Sequence, residues 1–407
     1  MITVFKNISE CLTLSGSAKK QGRRVTDDDL SIIKNAVIVT KKNKIEWIGQ
    51  TKNLPREYRK AKSIDLKGKT VLPGLIECHT HLVYGGSRGN DFEMKFQGRT
   101  YQEIAAAGGG IVSTVANTRK LSEKELLSIA EERAKAFLRQ GVTTVEMKSG
   151  YGLNFKTEEK ILKIVNKIKS VRTVATYLGP HAKPKEALST MEYLESVLKD
   201  LRKVRKYSRR ADIFIEKGYF DLEQAKSYFE EAREVGFDLV AHTNQLNHSE
   251  GAKLAVQLGA LSCDHLNYLN SQDIDVLANA ETTCVFIPTA DYYIDVPYPP
   301  ARELVDKGAR VALSTDFNPG TSPTQDIQFV GLLARKEMKM TLAEVITAWT
   351  VSPSYALGLE NELGSLEVGK NADFVILNSS WKDLFYQVGF NSVNRVVRAG
   401  KSVYFST

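Results

Sequence analysis

The chain has 407 residues, 42% hydrophobic and 26% charged, which exceeds one small core and suits a large barrel with an accessory domain. Fifty-six Lys and Arg against 48 Asp and Glu leave a formal charge of +8. The basic residues are interspersed with acidic ones and lack an aromatic-basic motif, so a solvated surface is expected and nucleic acid is excluded as a partner.

In chain order, the first 68 residues hold Asn35-Ala-Val-Ile-Val-Thr, a Lys-Lys-Asn turn and Lys44-Ile-Glu-Trp-Ile-Gly, the pattern of a β-hairpin. Eight short apolar runs follow, at Val71–His81, Thr143–Lys148, Thr173–Leu178, Asp212–Glu216, Asp238–His242, Leu261–His265, Thr283–Pro288 and Val311–Thr315. Between them lie amphipathic stretches such as Ser122–Gln140, Thr157–Ser170, Leu222–Val235 and Pro299–Lys307. Lys199–Arg210 reads as an exposed helix face and its connecting loop. Strands alternating with helices imply a parallel sheet, and eight such units predict a (β/α)8 TIM-like barrel over residues 69–360. The tail, 361–407, is again strand-like, with Ala372-Asp-Phe-Val-Ile-Leu and Val393–Tyr404 turning at Gly400. Residues 1–68 and 361–407 together are expected to form one small β-sandwich domain.

Four cysteines (Cys11, Cys78, Cys263, Cys284) form no Cys-x-x-Cys pair, which fits a reducing cytoplasm. The N-terminus lacks the basic and apolar regions of a signal peptide, and no apolar run approaches the roughly 20 residues of a membrane span. A cytoplasmic enzyme without membrane partners is expected.

Five of the six histidines fall at predicted strand ends: His79 and His81, His181, His242 and His265. In such a barrel these ends share one mouth. On a strand, residues two apart project to one side, so His79 and His81 converge. With Asp316 after the last strand, they form an imidazole/carboxylate set suited to Zn²⁺ or a related divalent ion with a position left open for water. Such an ion makes hydroxide accessible near neutral pH. Asp316 is the candidate to take the proton and pass it to a leaving nitrogen. His265 is placed to stabilise an oxyanion. Asp264 either assists or supports the loop, and His248 is read as structural or exposed.

These residues carry a resemblance. Pro73-Gly-Leu-Ile-Glu-Cys-His79-Thr-His81, the later strand-end His and Asp316-Phe-Asn-Pro-Gly resemble the amidohydrolase superfamily. Longer stretches are similar to its imidazolonepropionase family: His79 through Arg88, Tyr101 through Thr114, Glu146-Met-Lys-Ser-Gly-Tyr151-Gly-Leu, Gly-Pro-His181-Ala, His242-Thr-Asn-Gln245, Ser262-Cys-Asp-His265 and Asp316 through Pro323. The run Gly364–Leu377 supports only the broader superfamily. The resemblance implies one Zn²⁺ or Fe per subunit held by His79, His81, His242 and Asp316. It implies substrate contacts from Arg88, Tyr151, His181, Asn318, Gly320 and Thr321, with Gln245 and His265 flanking the reacting carbonyl. The activity implied is hydrolysis of the cyclic amide of 4-imidazolone-5-propanoate to N-formimidoyl-L-glutamate in histidine degradation. A small-molecule substrate and a homodimer are implied with it. Arg88 offers a planar fork for the propionate. The chain departs from the common pattern at Asn244-Gln245, where many members carry Asp-Glu. A neutral amide cannot act as a general base, so Gln245 is expected only to position substrate or water. Cys78 is read as a packed thiol.

Other readings compete. Lys148 could be a carboxylated, metal-bridging lysine, but its Lys-Ser-Gly-Tyr-Gly context favours hydrogen bonding. Gly108-Gly109-Gly110 lacks the Gly-Lys-Ser/Thr of a phosphate loop and suits a lid or close backbone approach to substrate. Gly85-Gly-Ser87-Arg-Gly89 fits the nucleophile elbow of serine hydrolases, although the histidines are better used on metal. A deaminase or cyclic amidase for another carboxylated heterocycle, and a non-catalytic barrel, complete the alternatives. The first is disfavoured by Arg88 with Tyr151 and His181, the second by an intact ligand set.

Overall fold

The computed structural model describes residues 2–100, 103–104 and 107–406. Tyr101, Gln102, Ala105 and Ala106 of the matched Tyr101–Thr114 stretch lie outside the described residues. Fifteen strands fall into two sheets. Those of the barrel are β5 (Leu75–Glu77), β6 (Val142–Lys148), β7 (Arg172–Tyr177), β8 (Arg210–Ile215), β9 (Asp238–Thr243), β10 (Ser262–His265), β11 (Thr283–Phe286) and β12 (Val311–Leu313). All seven neighbouring pairs are parallel. The circle closes just beyond the strands: Thr80 bridges Phe317 in parallel, and the His81 N–H donates to the Phe317 carbonyl at 3.0 Å.

The eight expected strands are present, with one correction. The run expected as a single strand over Val71–His81 breaks at Gly74. Its first half belongs to β4 (Lys62–Pro73), a strand of the other sheet, and the barrel begins at Leu75. A side chain at residue 74 would stand 2.3 Å from Thr143 Oγ1, so glycine lets the chain step from one sheet to the next. The boundary expected at residue 68/69 therefore falls inside β4.

The second sheet joins β1 (Ile2–Leu12), β2 (Ile32–Lys41), β3 (Lys44–Gln50), β4, β13 (Phe374–Leu377), β14 (Val393–Arg398) and β15 (Lys401–Phe405). Both expected hairpins appear, β2–β3 turning at Lys42-Asn43 and β14–β15 at Ala399-Gly400. The ladder is one continuous sheet that curls back on itself, because edge strand β3 hydrogen-bonds to the segment before β13 (Ile45 N–H to Lys370 carbonyl, 2.9 Å). It encloses a separate core that includes Phe5, Ile38, Leu66, Phe374 and Ile376.

Strand alternation builds the site. Along β6, Val145 and Met147 pack outward in the main core, whereas Glu146 and Lys148 pair with Arg210, Asp212 and Asp264 from other strands. These charged side chains therefore line the barrel axis. The flanking helices are capped as their sequences imply. Ser122 and Glu125 form a reciprocal box ahead of Glu123–Arg139, and Asp221 with Gln224 does the same ahead of Leu222–Glu234.

Candidate active site

Five imidazoles meet at the C-terminal mouth of the barrel. Ring centroids are 4.4 Å apart for His79–His242, 5.0 Å for His81–His181, and 5.3 Å for His265 from each of His79 and His242. His79 and His81 lie just past β5 rather than on it. The backbone stays extended there, so the two rings still converge, at 5.5 Å. His248 is elsewhere, its Nε2 2.7 Å from Asp273 Oδ2 near the start of helix Ser271–Asn279, as its structural reading expects.

Four donor atoms converge. His79 Nε2 and His81 Nε2 are 3.5 and 3.4 Å from Asp316 Oδ1, and His242 Nε2 is 3.4 Å from His81 Nε2. The His79 Nδ1–H donates to Asp264 at 2.7 Å, and His242 Nδ1 lies 2.9 Å from Asp212, whose other oxygen accepts the His242 backbone amide; each carboxylate thus turns a bare Nε2 lone pair toward the centre. His79 Nε2 and Asp316 Oδ1 are buried with no protein partner. Unpaired lone pairs facing one another need a positive charge between them. A tetrahedron of bonds near 2.0–2.2 Å has edges of roughly 3.3–3.6 Å, so the set fits a divalent ion. Burial raises the Asp316 carboxyl to about 7 and, with the neighbouring cations, pushes His79, His81 and His265 well below the ordinary imidazole range. The imidazoles are thus neutral, as ligation requires.

Among the described residues, a further grouping suited to a metal is Asp212, His242 and Asp264, and it already holds a cation. Lys148 Nζ lies 2.8 Å from Asp212, 3.1 Å from Asp264 and 3.1 Å from Glu146, all fully buried. Burial alone would lower its pKa, but the three carboxylates override it and hold the ammonium charged. A carbamate on this nitrogen would face three anions, which removes the metal-bridging reading. Asp264 thus orients His79 rather than supporting a loop.

The mouth opens into a cavity of about 380 Å³, lined among others by Arg88, Tyr151, His181, Gln245, His265 and Asp316. The Arg88 Nε–H donates to Thr114 Oγ1 at 2.9 Å. A side chain at residue 320 would lie 2.2 Å from Arg88 Nη1, so Gly320 makes room for the guanidinium. His181 Nδ1–H donates to the Gly150 carbonyl at 3.0 Å, and burial lowers its pKa to about 4, leaving Nε2 a neutral acceptor. The Gln245 and Leu246 amides are anchored on Glu216 Oε2 at 2.9 and 3.0 Å.

Asn318 lines the cavity, and its side-chain amide braces the loop: Nδ2 donates to the Asp316 carbonyl and Thr321 Oγ1, and Oδ1 accepts from the Gly320 and Thr321 amides. Asn244 likewise serves the backbone, donating to the Tyr268 carbonyl. In the glycine run at 108–110, the Gly110 amide donates to Asp91 Oδ2 at 2.7 Å. Ser87 is exposed, and its Oγ accepts from the Gly89 amide; with five histidines gathered on one another and His248 on Asp273, the serine-hydrolase reading falls.

Sequence reading missed Glu77 and Arg210. Buried Glu77 accepts from the His79 and Thr315 amides, both at 3.0 Å, and from Ser314 Oγ, tying the first strand end to the last. Arg210, placed by sequence in an exposed stretch, opens β8 buried against Glu146. A charged residue beginning an apolar strand run was the available signal.

Comparison with known proteins places this architecture. The Amidohydrolase family model matches residues 70–403, and the chain belongs to that family, hydrolases of carbon–nitrogen bonds. Within it the chain belongs to the imidazolonepropionases. It is 50% identical to the imidazolonepropionase of Bdellovibrio bacteriovorus over 98% of this chain and 96% of that one. It is 40% identical to that of Caldanaerobacter subterraneus subsp. tengcongensis over 97% and 95%. Solved structures share the fold at low identity. A guanine deaminase from C. acetobutylicum with bound guanine has a TM-score of 0.75 at 14% identity, over 99% of this chain and all of that one. An adenosine deaminase from Xanthomonas campestris with bound zinc has 0.72 at 16%, over 98% and 92%.

Proposed function

We propose that the chain hydrolyses the ring amide of 4-imidazolone-5-propanoate to N-formimidoyl-L-glutamate, and that His79, His81, His242 and Asp316 hold one Zn²⁺ or Fe for that purpose. The observation that carries this reading is one cavity presenting both the converging donor set and the Arg88 guanidinium. A divalent ion at that set acidifies water and polarises a carbonyl.

The chain's own groups supply the rest. Arg88, fixed by Thr114 and seated against Gly320, grips the propionate carboxylate with a charge-assisted fork. Tyr151 and neutral His181 line the ring's side of the cavity, and the Thr321 hydroxyl and Gly320 border the carboxylate's. Water oxygen adds to the ring carbonyl carbon while Asp316 takes its proton. The neutral His265 imidazole faces the developing oxyanion, and Gln245 orients the attacked group. The C–N bond then breaks as Asp316 returns the proton to the departing ring nitrogen. Asn318 lines the cavity and holds the loop that carries Gly320 and Thr321.

Hydrolysis of freshly prepared imidazolonepropionate, by metal-loaded and chelator-stripped protein side by side, tests the reading. Formiminoglutamate formed only by the loaded sample supports it. No turnover by protein shown to carry metal redirects the substrate search to other carboxylated cyclic amides and amidines. The cysteine pattern and small substrate support a cytoplasmic location for the reaction; among the described residues no helix is long and apolar enough to cross a membrane. The homodimer rests on resemblance alone and is checked by light scattering.

A further inference from the structure

The charged cluster beneath the mouth touches neither the cavity nor the expected metal, yet its geometry is ordered toward both. Lys148 on β6 is fully buried and contacts Asp212 of β8 and Asp264 of β10 at 2.8 and 3.1 Å. Asp264 accepts the Nδ1–H of His79 at 2.7 Å, and Asp212 lies 2.9 Å from His242 Nδ1 while accepting the His242 backbone amide at 3.2 Å. The third partner of Lys148, Glu146, is fixed from the other side by Arg210 at 3.2 Å and by the Thr176 hydroxyl. One ammonium therefore joins two carboxylate–imidazole pairs from separate strands, and each pair aims a bare Nε2 at the same point.

We propose that Lys148 is the positioning residue of the metal centre, setting through Asp212 and Asp264 the direction and basicity of His242 and His79. The inference rests on the ligand assignment above. The reasoning is electrostatic. Three carboxylates packed this closely in a dry interior repel one another unless a cation sits among them. Removing the ammonium lets the two aspartates move apart. A displaced aspartate no longer holds its imidazole in place, and the ligand's aim and electron donation fall together. Arg210 holds the far side of the cluster, its Nε donating to Glu146 and Thr176.

The test is metal binding, independent of turnover. Zn²⁺ affinity is measured by competition with a chromophoric chelator, and the visible band of the Co²⁺-loaded protein is recorded. Wild type and His81→Ala come first, because binding that does not depend on His81 overturns the ligand assignment itself. Lys148→Met is paired with Glu146→Gln so that one cation and one anion leave together and the fold keeps its charge balance. The proposal expects this variant to bind Zn²⁺ about 10–100-fold more weakly, with a shifted Co²⁺ band and an unchanged far-ultraviolet spectrum. Wild-type affinity and band would overturn the role of Lys148 while leaving the ligands assigned. Asp264→Asn, equal in size but one charge poorer, is the independent arm. It should lose affinity over the same range, and an unaltered value overturns the relay whether or not the double variant folds.

Discussion

At the scale of single residues, the site is defined by how little freedom its side chains keep. Asn244, His265, Leu266 and Asp316 all sit at left-handed φ, between 48° and 81°, a cost tolerated where surrounding contacts fix the backbone. Gly320 shows the same tightness without strain. A methyl there would meet Arg88 Nη1 at 2.2 Å and displace the guanidinium from its seat. Gly320→Ala should therefore behave as a mild Arg88→Ala. Arg88→Ala removes charge-assisted bonds worth about 1.5–3 kcal/mol, expected as a KM raised roughly ten- to a hundredfold, and Gly320→Ala should raise KM by a smaller factor with kcat nearly kept. Steady-state kinetics decide it. A Gly320→Ala enzyme with wild-type KM would show that the guanidinium does not bind substrate from that seat.

At the scale of elements, most of the barrel was legible because each strand is a short apolar run ending in a residue with chemistry to do. His79, His81, His181, His242, His265 and Asp316 could be placed at one mouth from topology alone, and they are found together there. What was not legible depended on neighbours distant in sequence. Glu146, Lys148, Arg210, Asp212 and Asp264 come from three strands, and only the closed barrel reveals that they pair with one another. The split of the first strand was hidden because both halves are apolar and share no turn signal beyond Pro73-Gly74. That junction makes a prediction. Gly74→Ala pushes a methyl into the buried Thr143 side chain and should cost about 1–3 kcal/mol by overpacking, read as a lower Tm. Gly74→Ala/Thr143→Ala, which deletes both crowding atoms, the hydroxyl and the methyl, should regain part of the loss. A single variant as stable as wild type would mean that the two sheets adjust at this step without cost.

At the scale of the whole molecule, three of the four proposed ligands lie at the seam of the barrel, with His242 reaching them from β9. His79 and His81 follow β5, Asp316 follows β12, and these are the two strands whose ends close the circle. An ion there would act as a clasp, so chelation should lower Tm as well as abolish turnover, with each tenfold rise in free metal above its Kd adding about 1.4 kcal/mol. A Tm indifferent to metal would separate the ion from closure. Charge acts over a longer range. The site cavity adjoins an outer one of about 660 Å³, with Arg88, Ile294 and Thr321 common to both, whose walls carry Arg88, Lys95, Arg99 and Arg133. The single carboxylate on that wall, Asp91, is engaged by the Gly110 amide. An anionic substrate approaching a chain of net charge +8 thus meets a funnel of its opposite sign, which raises encounter rates and is weakened by salt. Arg99 is the cleanest probe, since it is largely exposed, away from the Arg88 seat, and among the described residues its ion pair is with Glu103 at 3.4 Å. Arg99→Glu should lower kcat/KM several-fold at low ionic strength while leaving kcat unchanged, and the gap from wild type should close as salt shortens the Debye length to a few ångströms. If the two enzymes keep a constant ratio across the salt series, Arg99 acts by local contact. If wild-type kcat/KM itself ignores salt, association is not steered and the basic wall serves solubility alone.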